Sequence, residues 1–177
     1  NTNYENILSG KLELNRPDDA YYPWGGTSGG WYGVHKALAG FRDAYLYCNN
    51  KTALELMIQQ AEPITKFVLK ANPDLFDGML DLEHGGMNEV FADLYALTGD
   101  TRYLSVSMKF DHIKVILPIS LGKDVLYCRH ANMQFPTFVG TARQFQLTGD
   151  ETAGKSTGTF LDMRYSGHTM GMGGNSR

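Results

Sequence analysis

Asp93-Leu-Tyr-Ala-Leu-Thr-Gly-Asp100 decides the fold, because related stretches stand 50 residues before it and 50 residues after it. The earlier one runs from Asp43 to Asn50 and the later one from Arg143 to Asp150. Aligned at this spacing, the three stretches share similar residues in register: Tyr45, Tyr95 and Phe145; Tyr47, Leu97 and Leu147; Cys48, Thr98 and Thr148. A fixed period indicates one structural unit that is used several times.

Each copy of the repeat ends with residues typical of a tight corner between two helices. Gly99 and Gly149 suit the left-handed conformation that closes a helix, and Asp100 and Asp150 are good N-caps for the next helix. Apolar residues recur three to four positions apart on both sides of the second corner, as in amphipathic helices: Val90, Phe91, Leu94, Tyr95 and Leu97 before it, then Tyr103, Leu104 and Met108. The unit is therefore predicted to be an α-helical hairpin.

The fold class predicted from this repeat is all-α, built from helical hairpins of about 50 residues. A single hairpin cannot bury its apolar face, so such units stack into an open solenoid or a closed ring. The connections between hairpins are long and rich in Gly, Pro and aromatic residues, at 21–31, 72–86 and 117–132. Long loops gathered at one end of a ring are a usual place for a binding site, which favours the ring.

Composition limits the class of protein. The 177 residues are 42% hydrophobic, enough for one domain with a real core. The net charge of −3 gives no basic footprint for nucleic acid or for a membrane surface, and no apolar stretch is long enough to span a bilayer. The chain begins with Asn and has no recognisable signal peptide, so we expect a processed form or a piece of a longer protein, whose compartment the sequence does not indicate.

The two cysteines form no recognisable motif of their own, and residues 158–177 have an unusual composition. Cys48 falls at a predicted helix end and Cys128 in a long connection, and two separate cysteines make neither a disulfide framework nor a CxxC metal site. We expect both to be ordinary thiols. Residues 158–177 are rich in Gly and Met and show no helical period, which predicts either a flexible end or an active-site loop.

Three histidines stand near the start of the first helix of each unit: His35, His84 and His130. Equivalent positions in stacked hairpins lie at similar heights, so the three imidazoles are predicted to face a shared cavity. Imidazole donates and accepts hydrogen bonds near neutral pH and therefore suits a sugar site. One alternative is that each histidine caps or packs a helix N-terminus; another is a three-histidine zinc site, for which the compact spacing is absent.

Carboxylates and aromatic residues accompany these histidines. Hydrolysis of a glycosidic bond needs two groups across the bond, but Glu83 and Glu89 are separated by Gly85 and Gly86 and form a weak pair; they and Asp81 equally suit a charge at a helix N-terminus. Aromatic rings are good platforms for sugar faces, and they are equally suited to packing loops onto the helices. Five such residues stand in or beside the first long loop: Tyr21, Tyr22, Trp24, Trp31 and Tyr32.

Four blocks of the sequence resemble glycoside hydrolase family 127, the β-L-arabinofuranosidase family. In order, they are Trp31-Tyr-Gly-Val-His-Lys-Ala-Leu-Ala-Gly40, Glu83-His-Gly-Gly-Met-Asn-Glu-Val-Phe-Ala-Asp-Leu-Tyr-Ala-Leu-Thr-Gly-Asp100, His130-Ala-Asn-Met-Gln134 and Gly173-Gly-Asn-Ser176. The resemblance implies an (α/α)6 toroid catalytic domain that holds the sugar in its central cavity. It also implies that His35, His84 and His130 bind the arabinofuranose.

The resemblance further implies which parts of the family's machinery this chain lacks. The family's acid/base glutamate, zinc ligands and nucleophilic cysteine follow the Gly-Gly-Asn-Ser stretch, and neither Cys48 nor Cys128 matches them. We therefore expect residues 1–177 to form a partial toroid domain, truncated towards its C-terminal end and inactive as a glycosidase by itself. The catalytic residues stay unknown and no cofactor is expected within this chain, although zinc is expected in the full-length family enzyme.

The leading hypothesis is a segment of a glycoside hydrolase with a small carbohydrate as substrate, without nucleic-acid or membrane partners and with an unknown oligomeric state. One alternative is another α/α-toroid enzyme that acts on sugars, such as a lyase, an epimerase or an unsaturated-glycoside hydrolase, because fold alone does not decide chemistry. A second alternative is a non-catalytic helical-repeat module that binds partners through an exposed groove.

Overall fold

A computed structural model describes residues 30–81 and 84–175 of the chain. Its regular elements there are eight α-helices, one π-helical turn at Arg164–His168 and an isolated antiparallel bridge between Thr169 and Asn175. The helices are α1 (Gly30–Cys48), α2 (Lys51–Lys70), α3 (Pro73–Met79), α4 (Met87–Thr98), α5 (Thr101–Lys109), α6 (Ile113–Ser120), α7 (Ala131–Thr148) and α8 (Glu151–Met163). Within these ranges, none of the helices combines the length and apolar character needed to cross a bilayer.

The helices form three hairpins in two layers. Helix α1 pairs with α2, α4 with α5 and α7 with α8; α4 also packs between α1 and α7, and α2 packs on α5. One layer therefore holds α1, α4 and α7, and the hairpin partners lie behind it. The predicted all-α fold of repeated hairpins is confirmed, and closure into a toroid stays a prediction.

The corners within the hairpins follow the predicted chemistry. Gly99 and Gly149 adopt the left-handed conformation, with φ of 74° and 73°, and the side chains of Asp100 and Asp150 accept hydrogen bonds from the first turns of α5 and α8. In the first corner Asn49 takes the left-handed position instead, with φ of 52°. Asparagine tolerates this conformation better than most residues other than glycine because its short side chain bonds locally.

Helices α1, α4 and α7, here called the front helices, run parallel and in register, and ion pairs between their side chains hold them at the same level. Asp93 of α4 accepts hydrogen bonds from Arg42 Nη1 of α1 at 2.7 Å and from Arg143 Nε of α7 at 2.6 Å. Asp93 stands 50 positions before Arg143, the period of the repeat. Contacts nearer the N-terminal ends follow the same order: Asn88 Nδ2 donates to Thr137 O at 2.9 Å, and His35 packs on Gly86. The three helices therefore point in the same direction.

The connections between hairpins differ from the prediction because two of them contain short helices. Helix α3 lies inside 72–86: Pro73 begins it, where a missing N–H costs nothing, and Asn72 Oδ1 accepts from Asp74 N at 3.0 Å. Helix α6 overlaps the start of 117–132 and buries Val115, Ile116 and Ile119. Apolar runs this short carry too little periodicity to be distinguished from buried loop segments.

The aromatic and terminal segments also differ from the prediction. Trp31 belongs to α1 rather than to a loop, is 2% exposed, and lies edge-on to Phe110 at 4.9 Å between ring centroids, so it is a core residue and not a sugar platform. Tyr21, Tyr22 and Trp24 lie outside the described residues. Helix continues through the first part of 158–177, to Met163 as α8 and to His168 as a π-helical turn.

Two apolar clusters hold the hairpins together. The larger lies among the first two hairpins and α3, and includes Trp31, Met57, Phe91 and Phe110. The smaller joins α6 to the third hairpin, where Phe138 and Phe160 stack at 4.0 Å. Both clusters lie between helices, and the larger one includes Trp31 and Met87 from the first turns of α1 and α4.

Candidate carbohydrate-binding site

A cavity of about 520 Å³ lies at the N-terminal ends of the front helices. This is the end that carries the long connections. Small-ligand sites usually enclose about 300–1,000 Å³ and combine an apolar wall with a few polar groups. The polar lining consists of His35, Lys36, Glu89, His130, Asn132 and Asn175, and the apolar lining includes Phe135, Pro136 and Val139.

His35 lies on the α1 side of this cavity and packs directly on a glycine pair. A Cβ atom placed on Gly85 would stand 2.7 Å from His35 Nδ1, and one on Gly86 would stand 2.9 Å from His35 Nε2. Gly85 also has φ of 60°, a conformation that other residues rarely adopt. The two glycines therefore allow the imidazole to approach the backbone that precedes α4.

The imidazole of His35 is kept neutral by its surroundings. Burial, followed by the positive charges of Lys36 and Arg42 and the neighbouring His84, lowers the pKa of His35 from 6.5 to about 4. Its Nδ1 is buried and has no hydrogen-bond partner among the described residues. A neutral imidazole offers one donor and one acceptor nitrogen near neutral pH.

His84 is buried and bonds to α7 rather than lining the cavity. Its Nε2 lies 3.1 Å from Thr137 Oγ1, and the Thr137 hydroxyl donates its own hydrogen to Met133 O at 2.9 Å. The Thr137 hydroxyl therefore has two hydrogen-bond contacts, and the His84 tautomer sets the direction of the one to Nε2. His84 thus ties the segment before α4 to the start of α7.

His130 caps α7 and lies at the cavity rim. Its Nδ1 accepts a hydrogen bond from Asn132 N at 3.2 Å, and its side chain lines the cavity together with that of Asn132. The structure therefore brings His35 and His130 to one cavity, while His84 contacts Thr137 of α7, which does not line that cavity. Capping, the alternative considered for each histidine, holds for His130, and packing against a helix start holds for His84.

Glu89 is the carboxylate that lines the cavity. It is the third residue of α4, and its Oε1 accepts a hydrogen bond from Arg42 Nη1 at 2.9 Å. Burial acts to lower the pKa of Arg42, but hydrogen bonds to Asp93, Asp43 and Glu89 outweigh it and hold that pKa above its usual value. Arg42 is therefore a permanent cation that orients the Glu89 side chain.

A buried polar cluster lies between the second and third hairpins. Asn88 Nδ2 donates to Asp111 Oδ1 at 3.1 Å and to Thr137 O at 2.9 Å, while Gln144 Nε2 donates to the same Asp111 oxygen at 3.1 Å. Ser107 joins them by donating to Asn88 O and accepting from Gln144. Burial raises the pKa of Asp111 to about 7, although the two amide hydrogen bonds lower it.

The other carboxylates lie elsewhere or outside the described residues. Asp81 is exposed and lies 3.1 Å from His112 Nε2, on the α6 side of the second hairpin. Glu83 lies outside the described ranges, so the weak pairing of Glu83 with Glu89 stays untested. Among the described residues that line the cavity, no second carboxylate faces Glu89.

The described residues do not supply the zinc site that the family resemblance implies. Over 30–81 and 84–175, no group of three or more His, Cys, Asp or Glu side chains is close enough to hold a metal ion. Cys48 is exposed at the corner end of α1, whereas Cys128 is exposed in the connection that leads to α7. The two thiols thus lie at opposite ends of the hairpins.

Several residues of the site other than the histidines could have been found from the sequence, by their shared position in the repeat or by a pair of adjacent glycines. Asp43, Asp93 and Arg143 occupy one register position of the repeat. Their charges mark the ion pairs that align the front helices. Gly85 and Gly86 signal a close approach of another group, although the sequence does not identify that group as His35.

The family model described as beta-L-arabinofuranosidase, GH127 catalytic domain, matches residues 8–177. No curated protein sequence matches the chain closely enough to count as a relative. The match spans almost the whole chain, including the hairpins and the described residues that line the cavity. The chain therefore belongs to glycoside hydrolase family 127, the β-L-arabinofuranosidase family.

Proposed function

We propose that the described residues form part of the substrate-binding site of a β-L-arabinofuranosidase-like glycoside hydrolase, with one arabinofuranosyl unit held in the cavity. The observation that carries the proposal is the convergence of His35, Glu89 and His130 on one cavity of about 520 Å³. Membership of family 127 supports a glycosidase as the class of enzyme.

The chemistry of the lining supports a sugar as the ligand. Hydroxyl groups both donate and accept hydrogen bonds, and the lining offers neutral imidazole, amide and carboxylate groups that match both roles. Phe135 and Val139 add an apolar wall, which suits the C–H faces of a furanose ring. In this proposal His84 does not contact the sugar. It holds Thr137, and with it the N-terminal half of α7, in place.

A non-catalytic role for the described residues is the second candidate, and one observation favours it. Glycosidases of the usual kind need two groups placed across the bond, whereas Glu89 is the one carboxylate among the described residues that line the cavity. We therefore expect the 177-residue chain to bind the glycoside without hydrolysing it. Turnover of p-nitrophenyl β-L-arabinofuranoside by the purified chain would contradict this expectation.

Calorimetric titration of the chain with methyl β-L-arabinofuranoside tests the binding proposal, with the α-anomer as the comparison ligand. The informative variant is His130→Asn, because asparagine is a good N-cap and preserves the start of α7 while removing the second imidazole nitrogen. We expect about tenfold weaker binding, the usual effect of one lost hydrogen bond.

The matched control is Asp150→Asn, which makes the same kind of N-cap replacement on α8, away from the cavity lining. It should leave the affinity of the chain for the glycoside unchanged. Absence of binding by the unsubstituted chain, or equal affinities of that chain and the His130→Asn variant, would contradict the proposal.

A further inference from the structure

Glu89 uses only one of its carboxylate oxygens within the described part of the chain. Oε1 accepts the hydrogen bond from Arg42 Nη1 at 2.9 Å, whereas no described residue donates to Oε2. The side chain is 24% exposed, and the residue lines the cavity. An ionised carboxylate offers about four acceptor sites, so Oε2 remains able to accept hydrogen bonds from a ligand.

The close packing of Glu89 and His35 on Gly86 brings this oxygen near the imidazole. A Cβ atom on Gly86 would stand 3.2 Å from Glu89 Oε2 and 2.9 Å from His35 Nε2. Both polar atoms therefore pack against Gly86 and lie close to each other, an arrangement that a side chain on residue 86 would disrupt. Because Glu89 and His35 both line the cavity, one hydroxyl group of a ligand there can lie within hydrogen-bond distance of the carboxylate oxygen and of the imidazole nitrogen.

The position of Glu89 is fixed by charges from all three front helices. Arg42 of α1 bonds to both Glu89 and Asp93 of α4, and Arg143 of α7 bonds to Asp93 at 2.6 Å. Ion pairs that share partners in this way restrict the rotamers of each member. A group held in place before the ligand arrives loses less conformational entropy on binding.

We propose that Glu89 is a specificity-determining residue of the cavity, and that its Oε2 accepts a hydrogen bond from one furanose hydroxyl while His35 Nε2 contacts the same part of the sugar. The inference rests on the proposed function and adds to it the residue that selects for that hydroxyl. Hydrogen bonds to an ionised acceptor are about twice as strong as those between neutral groups, so removal of the hydroxyl should be costly.

A purely structural role makes a different prediction. If Glu89 only pairs with Arg42 and the N-terminus of α4, its substitution lowers stability and affects all ligands equally. If Oε2 receives a hydroxyl, its substitution removes the preference for ligands that carry that hydroxyl. The 2-, 3- and 5-deoxy analogues of methyl β-L-arabinofuranoside separate these two outcomes.

The experiment compares the unsubstituted chain with the Glu89→Gln variant by calorimetric titration with the parent glycoside and its three deoxy analogues. Glutamine keeps the size of the side chain and an oxygen for Arg42, but it removes the negative charge. We expect one deoxy analogue to bind the unsubstituted chain at least tenfold more weakly than the parent does. In Glu89→Gln that penalty should fall below about threefold, with the other two penalties unchanged.

The matched control is Glu62→Gln, because Glu62 accepts a hydrogen bond from Arg102 Nη2 at 2.7 Å on the back layer of helices, away from the cavity lining. This variant should retain the affinity and all three deoxy penalties of the unsubstituted chain. Circular dichroism of each variant on heating verifies that the fold persists. If Glu89→Gln does not fold, the carboxyl ¹³C shift of Glu89 in the unsubstituted chain provides the second measurement, and it should move when the glycoside binds.

The possible failures are distinguishable. If the unsubstituted chain binds no furanoside, the proposed function fails and the inference fails with it. If the chain binds the parent glycoside but Glu89→Gln keeps every deoxy penalty, or the Glu89 carboxyl shift is unaffected by saturating ligand, the inference about Glu89 is wrong and the binding function stands.

Discussion

Asn88 and Gly140 meet where the second and third hairpins pack together, and their contact excludes any larger residue at position 140. A Cβ atom on Gly140 would stand 2.0 Å from both Cγ and Oδ1 of Asn88. Asn88 is fully buried and cannot retreat without losing its hydrogen bonds to Asp111 and Thr137. The absent side chain thus allows α4 and α7 to approach each other.

We expect Gly140→Ala to lower the free energy of unfolding by about 2 kcal/mol, because overpacking a tight contact typically costs about 1–3 kcal/mol and exceeds the gain in helix propensity. Urea denaturation measures the change. Gly158→Ala is the matched control: Gly158 lies in α8 and its added Cβ would meet nothing within 4 Å. The control should gain about 0.5–1 kcal/mol, and equal effects of the two substitutions would refute the packing argument.

Arg164 is a buried cation whose surroundings are largely apolar. It is 1% exposed, and none of its three guanidinium nitrogens has a hydrogen-bond partner among the described residues. The guanidinium lies between two aromatic rings, 5.5 Å from the centroid of Phe135 and 5.4 Å from that of Phe160. Burial lowers the pKa of Arg164, and Asp124 opposes that effect.

We expect Arg164→Met to raise the free energy of unfolding by about 1 kcal/mol or more, because an apolar side chain of similar length avoids the cost of removing a charge from water. The contacts with Phe135 and Phe160 favour the cation, so the gain should be smaller than for a cation without aromatic neighbours. Arg102→Met, at an exposed ion pair with Glu62, is the control and should be neutral or slightly destabilising. A lower stability of Arg164→Met would show that the charge itself is stabilising.

At the scale of elements, the hairpin corners demonstrate why local sequence predicts this fold well. Each corner needs a residue in the left-handed conformation followed by an acceptor for the first turn of the next helix. Gly149 and Asp150 satisfy both needs within two adjacent residues. By contrast, α3 and α6 depend on burial against the rest of the molecule, so their short sequences alone do not predict these helices.

We expect Asp150→Ala to destabilise the protein by about 1 kcal/mol, because its side chain accepts hydrogen bonds from Thr152 N at 2.8 Å and Ala153 N at 3.4 Å at the start of α8. Thermal unfolding followed by circular dichroism measures the loss. The control is Asp162→Ala near the other end of α8, where the side chain is exposed. A loss of the same size in the control would mean that replacement of any Asp in this helix hairpin, rather than loss of the cap, explains the effect.

At the scale of the whole molecule, Asp111 makes the stability of the packing between the second and third hairpins depend on pH. It lies in the connection from α5 to α6 and accepts hydrogen bonds from α4 and α7. Its pKa rises from 3.8 to about 7 in the folded protein, chiefly because of burial, and the charge of Asp150 adds to the effect. The folded state therefore binds a proton at this site more tightly than the unfolded state does.

We expect the stability of the unsubstituted chain, relative to Asp111→Asn, to be greatest below pH 3.8 and to decline as the pH rises through about 7. His35 acts in the opposite sense: its pKa falls from 6.5 to about 4, so its contribution is complete above pH 6.5 and is lost as the pH falls to about 4. Urea denaturation of Asp111→Asn and His35→Asn at several pH values separates the two effects. Parallel profiles for Asp111→Asn and the unsubstituted chain would contradict the assignment to Asp111.

The sequence predicts the architecture better than it predicts the site, for a physical reason. Corners and helix periods are local, whereas the contacts that build the cavity join residues far apart in the chain, such as Arg42 and Glu89, separated by 47 positions. The repeat places His35, His84 and His130 near the same end of the hairpins but does not specify which way each ring turns. His84 turns towards Thr137 because a buried imidazole needs a partner.

The corners and the long connections lie at opposite ends of the hairpins, and this separation has an evolutionary consequence. The corners hold the helices in register with two residues each, so an insertion or deletion there would shift a whole helix. An insertion in 121–130, between α6 and α7, would reshape the rim of the cavity and leave the helix pairs where they are. Relatives can thus differ in the length of this connection, and in the shape of the cavity rim, on an unchanged scaffold.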